Sequence, residues 1–448
     1  MEVVELYAPE QDKHMEKGFS HTRAKRVLDM FRATSTAAHE LGVGRQLIED
    51  ESFAGDTIII QGAKVANFGL CSYLGLGNDE RLIEGAIDAT RRFGTSYSSS
   101  IAYTALGMYG ELSERLEEMM GAPVILAATT TLAHLAALPV LISGGDTVYV
   151  DGQAHASLLA VIPTLASNGA TVEMVRHNDI EELDRRLSES DRGGASWFIT
   201  DGIFSMHGDT VPVDQVHHLL KKHPRFHVYC DDAHGFGWSG KLGCGTYLGR
   251  TGWHERLVIS VGLAKSFGTM GGVVATPNVD FIDMINLTGS PLVFGGPIPP
   301  PILGASIASA DIHLSDELPA LQGELDRRIK FVNAFSDSIG LPLAGFDETP
   351  LWFLEVGASK KVLEGLSMMK TAGFFVNGAV FPVVPRNHGG LRFTVTNYNS
   401  LSQIEAMLVE LNRVWLALSA ETAIEIDLTD DLVTDTGYHD DSGASFQP

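Results

Sequence analysis

Short apolar runs rich in β-branched residues alternate along this chain with stretches whose apolar positions recur every three or four residues. From about residue 68 to 300 the short runs are VILAA, TVYVD, TVEMVRH, WFITDG, HVYCDD, LVISVG and GGVVATP. Near-continuous apolar runs separated by helical patterns predict βαβ units and a mostly parallel sheet covered on both faces. Such a sheet binds ligands at the carboxyl ends of its strands, and the polar motifs fall there.

Upstream, Thr57 to Phe68 reads as two short strands joined around Gly62, preceded by a polar, helical lead-in. Val124 to Ile142 is nearly apolar but interrupted by three threonines, His134 and Pro139, which predicts a buried helix rather than a membrane span. The Pro-Gly run Phe294 to Pro301 breaks the rhythm. A long helical stretch follows from Ile302 to about Ile339, interrupted at Pro319, then strands over Leu351–Val356 and Gly390–Thr396 with helices between and after. The pattern divides the chain into an arm (1–60), a large domain (61–300), a smaller C-terminal α/β domain (301–418) and an acidic, Ser/Gly/Thr-rich tail (419–448) that reads as mobile.

Composition narrows the partners. Hydrophobic content of 44% and charged content of 20% are those of a soluble globular protein. A net charge of -24 excludes a basic nucleic-acid surface, and an anionic substrate then needs a local cation. Cys71, Cys230 and Cys244 are far apart and form no CxxC pair, which argues for a reducing compartment without disulfides or a structural metal. No basic segment followed by an apolar run opens the chain, so a cytoplasmic location is expected.

The candidate chemistry centres on Lys265, which follows the apolar run LVISVG and precedes a Gly-rich turn. A lysine there can cover core edges with its stem, or, desolvated, act as an amine nucleophile toward an aldehyde. Asp231, Asp232 and His234 follow HVYC. They could be part of a metal site, solvated turn residues, or an aspartate that pairs with a protonated pyridine nitrogen beside a histidine that meets a ring oxygen. His155 and Ser205 each follow another strand, and His155 could stack on a planar cofactor or act as an acid or base. Thr129, Thr130 and Thr131 lie between a strand and a helix, suited to a phosphate or simply to N-capping. Together they are the parts that hold pyridoxal 5'-phosphate (PLP), and neither GxGxxG nor GxxxxGK[ST] competes.

NFGLCSYLGLG, HASL, RHND, TDGIFSMHGD, DDAHGFGWSGKLGCG, LAKSFGTMGG and GLRFTVT occur in that order over roughly residues 60 to 415. In these motifs the chain resembles the α-oxoamine synthases among fold-type I PLP-dependent transferases. The resemblance implies a Schiff-base and proton-shuttling role for Lys265, a pyridine-nitrogen partner in Asp231 and a ring-oxygen partner in His234. It also implies stacking by His155, a cofactor-shell role for Ser205, and phosphate binding by the threonine turn. Arg392 matches the arginine that holds the substrate carboxylate, with Cys71 and Thr396 near the substrate. The implied reaction is decarboxylative condensation of an amino acid with an acyl thioester, on coenzyme A or a carrier protein, in a homodimer with shared sites. A fold-type I aminotransferase, lyase or other C–C bond former, or a non-catalytic partner subunit, remains the alternative. The chain departs from the family at Cys71 (usually Asn), at Thr95–Ser100 (usually Gly-rich), at Gly262 (a hydroxyl three residues before the lysine), at Phe294–Pro297, which lacks the partner-lent hydroxyls, and at Asn399 (usually His).

Overall fold

A computed structural model describes residues 23–190, 193–344 and 347–420. The acidic stretch from Glu421 onward and residues 1–22 lie outside the described residues. In chain order come helix α1 (Arg23–Glu40), strands β1 (Thr57–Ile60) and β2 (Ala63–Asn67), helices α2 (Glu80–Phe93) and α3 (Gly107–Met120), strand β3 (Val124–Ala127) and helix α4 (Thr130–Leu141). Strands β4 (Thr147–Asp151), β5 (Thr171–Val175), β6 (Ser196–Asp201), β7 (Phe226–Asp231), β8 (Leu257–Gly262) and β9 (Gly272–Ala275) follow. The last strands are β10 (Leu351–Gly357), β11 (Phe374–Phe375), β12 (Asn377–Ala379) and β13 (Gly389–Thr394).

Seven strands form one sheet in the order β3-β9-β8-β7-β6-β4-β5. The ladders from β8 to β5 are parallel, and β9 runs against both β8 and β3. The reversal follows from the short connection after β8: a parallel return needs a helical crossover, an antiparallel one does not. Every residue of β3, β4, β8 and β9 is buried, as expected of strands covered on both faces. Two apolar clusters fill these faces, one around Phe198, Phe226 and Phe267, the other around Trp197, Tyr229 and Leu138.

A third cluster packs Trp352, Phe393 and Val414 with Phe68 and Tyr73. It belongs to two smaller sheets, β10-β13-β12 and β1-β2-β11, the second joining strands more than three hundred residues apart.

Three expectations are corrected. Val124–Ile142 is not helical throughout: as the VILAA run and the threonines after it predict, it splits into β3 and α4 at Ala128–Thr129, where Thr129 turns to an extended conformation (φ −150°) and caps the helix by accepting from Leu132 N–H at 3.2 Å. The 302–339 stretch is two helices, Pro300–His313 and Leu318–Ser338. Pro319 sits in the first turn of the second, where its missing N–H costs no helix bond, so the break lies just before it. Strand β13 also ends at Thr394, two residues short of the expected limit.

Candidate active site

Lys265 lies in the connection between β8 and β9, beyond the carboxyl end of β8. It is half-buried, and its amine takes part in no hydrogen bond or ion pair among the described residues, while its backbone oxygen accepts from Gly268 N–H at 3.0 Å. Desolvation lowers its pKa below the ordinary lysine value, against the opposing pull of Asp231, Cys71 and Asp201. The amine is thus biased toward its neutral, nucleophilic form.

Asp231 closes β7 in the centre of the sheet and is 6% exposed. Its Oδ1 accepts from Ala233 N–H at 3.0 Å and its Oδ2 from His134 Nε2 at 3.0 Å. The other nitrogen of His134, Nδ1, lies 2.9 Å from the Tyr229 hydroxyl. Tyr229 stays protonated, its pKa pushed up by burial, so the network assigns the Nε2–H tautomer to His134. Burial pushes the Asp231 carboxyl up, yet His134, Lys265 and His155 outweigh it and hold its pKa below the ordinary value. Asp231 is therefore a fixed negative charge in a dry setting.

His234 is buried and its Nδ1 is 2.7 Å from the Tyr73 hydroxyl. Burial, with the charges of Lys265 and Arg392, drives its pKa well below the usual histidine value. Burial raises that of Tyr73. Tyr73 then donates to Nδ1 and leaves Nε2–H free as a donor. His155, exposed at the end of β4, has Nδ1 2.7 Å from Ser157 Oγ, which orients the ring. Its pKa is lowered, chiefly by desolvation.

Arg392 on β13 is buried, not exposed: Nε donates to Ser205 O at 2.5 Å and Nη2 approaches Cys71 Sγ at 3.7 Å. It ties the small sheet to the loop after β6. Ser205 meets it through its backbone oxygen. Thr396 lies in a turn, its hydroxyl 3.1 Å from Asn399 Oδ1. Thr129 spends its hydroxyl on the cap, while Thr130 and Thr131 present backbone N–H groups in the first turn of α4, where no carbonyl precedes them. The paired glycines Gly262 and Gly272 let that turn approach: a Cβ on Gly272 would lie 2.5 Å from Thr129 C and O.

The RHND motif has a different task from the residues facing Lys265. His177 bridges Asp151 Oδ1 (2.8 Å) and Asp209 Oδ2 (2.7 Å), and Asn178 binds the same two carboxylates. It clasps the 202–210 loop that positions Arg392. Sequence reasoning missed His134, Tyr229, Tyr73 and Asp201 as parts of the site. The signal for His134 is its spacing four residues after Thr130, one helical turn along α4.

The described residues hold no group of three or more His, Cys, Asp or Glu side chains that could bind a metal, and no helix among them is long and apolar enough to cross a membrane. What they do supply at the carboxyl edge of the large sheet is a desolvated amine, a dry carboxylate, two neutral histidines and a free helix start, with a buried arginine of the small sheet beside them.

Residues 63–397 match the family model of aminotransferase class I and II. The chain belongs to that family. Among curated relatives it is 31% identical over 393 residues to the 8-amino-7-oxononanoate synthase of Thermoanaerobacter pseudethanolicus, covering 86% of this chain and 97% of the relative. It is 28% identical over 370 residues to the serine palmitoyltransferase of Sphingobacterium spiritivorum, covering 82% and 90%. These relatives are α-oxoamine synthases, and the chain is α-oxoamine synthase-like. In fold it matches serine palmitoyltransferase from S. paucimobilis, a structure with a bound PLP–myriocin aldimine, at a TM-score of 0.81 and 21% identity over 88% of this chain and 98% of that one.

Proposed function

We propose that this protein is a PLP-dependent α-oxoamine synthase that joins an amino acid to an acyl thioester with loss of CO2. The residues fit the cofactor. Lys265 offers an unpartnered amine for the aldehyde, Asp231 a permanent charge for the pyridine nitrogen, His234 an Nε2–H for the ring oxygen and His155 a flat face. Thr130 and Thr131 offer N–H groups to the phosphate.

When bound, PLP supplies a conjugated electron sink for charge developing at the substrate Cα. Arg392 holds the substrate carboxylate by charge-assisted hydrogen bonds, with Ser205 O fixing the guanidinium plane. Lys265, as a neutral amine, would take the proton from Cα and later return one. Asp231 stays ionised throughout because His134 donates to it. Cys71 stands beside Arg392 and shapes the amino-acid side of the pocket.

The observation that carries this reading is the desolvated Lys265 amine under the influence of an Asp231 carboxylate that its neighbours keep charged. Borohydride reduction of PLP-loaded protein should fix the label on Lys265. Amino acids screened with acyl thioesters should then release CO2 and free thiol together. Transamination or retro-aldol cleavage without thiol release would assign the protein to another branch of fold-type I chemistry. A homodimer is part of the proposal. Tyr103 (82% exposed) and Phe294 (83% exposed) lie on two segments joined by Ser100 Oγ to Val293 O at 2.5 Å, an apolar surface suited to a second copy. A cytoplasmic location is also proposed, in keeping with three free cysteines.

A further inference from the structure

The end of the strand that leads to Lys265 presents no hydroxyl to the start of α4. Position 262 is glycine and position 264 alanine, while Ser260 and Ser266 are completely buried. The space beside Gly262 is nevertheless taken. A Cβ built on Gly262 would stand 2.8 Å from Thr130 Oγ1, with Ala233 Cβ next at 3.3 Å. Thr130 Oγ1 itself takes part in no hydrogen bond among the described residues, unlike Thr129, whose hydroxyl caps the helix. The position of this hydroxyl depends on the notch formed by Gly262 and its cross-strand partner Gly272, which admits the Thr129–Thr130 backbone to within 2.6 Å of a Cβ position.

We propose that Thr130 Oγ1, standing in the volume that a side chain at position 262 would take, donates to the cofactor phosphate from the first turn of α4. The proposal rests on the PLP reading above and goes beyond it: a side-chain hydroxyl joins the backbone N–H groups of the helix start, and the glycine at 262 is the condition for its placement. Gly262 and Thr130 are then alternatives for one volume. A hydroxyl at either position serves, and side chains at both collide. Backbone geometry does not forbid the exchange, because Gly262 is not among the positive-φ glycines.

The test measures Kd for PLP and for pyridoxal, which lacks the phosphate, by visible absorbance on apo-protein. Thermal melts of the apo forms report folding. Thr130→Val should raise Kd for PLP by about tenfold or more and leave Kd for pyridoxal unchanged, the scale of a hydrogen bond to a charged group. Thr130→Ser should behave as wild type. Gly262→Ser alone should weaken PLP binding, since its Cβ meets Thr130 Oγ1. Combined with Thr130→Ala, the same substitution should restore PLP binding above either single variant, a sign reversal that additive effects do not give. An unchanged PLP-to-pyridoxal ratio in Thr130→Val, equal losses for both aldehydes, or a double variant no better than Thr130→Ala would overturn the proposal. Wild-type protein that binds neither aldehyde would instead overturn the cofactor reading, and this proposal with it. If Thr130→Val does not fold, the comparison of Thr130→Ala with the double variant decides.

Discussion

Asp231 and Asp201 are cross-strand partners at the ends of β7 and β6, yet their carboxyls are driven in opposite directions. Burial and the Asp231 charge raise Asp201 well above the ordinary value, whereas His134, Lys265 and His155 overcome burial at Asp231. Two adjacent buried carboxylates do not both ionise cheaply, so the donor network decides which one carries the charge. His134 reaches Asp231, while among the described residues the Asp201 carboxyl receives only the His155 N–H, at 3.2 Å.

Asp231→Asn should therefore keep cofactor on Lys265 but lose turnover by about 100-fold or more, the scale of removing a preorganised charge. Asp201→Asn is nearly isosteric with the protonated acid and should stay within a few-fold of wild type. Paired measurement of absorbance and product formation checks both. Full activity in the Asp231 variant would remove that residue from the site.

The strand-and-helix rhythm made the large sheet legible because fully buried strands leave a continuous apolar signature, as in β8 and β4. Lys265, Asp231 and Arg392 were legible because each ends or occupies such a run. The partners that tune them were not. Tyr73 and His234 are separated by 161 residues and His134 and Asp231 by 97, and no local pattern pairs side chains across such distances. The reversed β9 was hidden for a related reason: GGVVATP has the same apolar signature in either direction.

Glycine positions separate tight packing from spare freedom. Gly272→Ala places a Cβ 2.5 Å from Thr129 backbone atoms, which cannot rotate away, and should destabilise by about 1–3 kcal/mol. It should also loosen PLP through the displaced helix start. Gly323, inside the helix Leu318–Ser338, has open space around its Cβ position, so Gly323→Ala should stabilise by about 0.5–1 kcal/mol. Denaturant midpoints on apo-protein distinguish the two.

Arg392→Lys should raise KM for the amino acid by about tenfold or more, since an ammonium cannot keep the Ser205 O contact and also give bidentate binding. The KM for the acyl thioester should change little. Equal effects on both substrates would mean that Arg392 supports the loop rather than the carboxylate.

His177 sets an alkaline limit on stability. Desolvation opposes its charge, but Asp151 and Asp209 outweigh it and raise its pKa to about 9. Because the folded state holds this proton more tightly than the unfolded chain, the clasp contributes fully below the free-histidine value near 6.5. That contribution falls as pH rises toward and through 9. Chemical denaturation across pH 6 to 10 should show wild-type stability declining between about pH 6.5 and 9 and levelling above that. His177→Gln, which is uncharged at every pH, should be less stable at pH 6 and show a flatter profile. Parallel profiles for the two proteins would mean that His177 is not the group whose proton is lost.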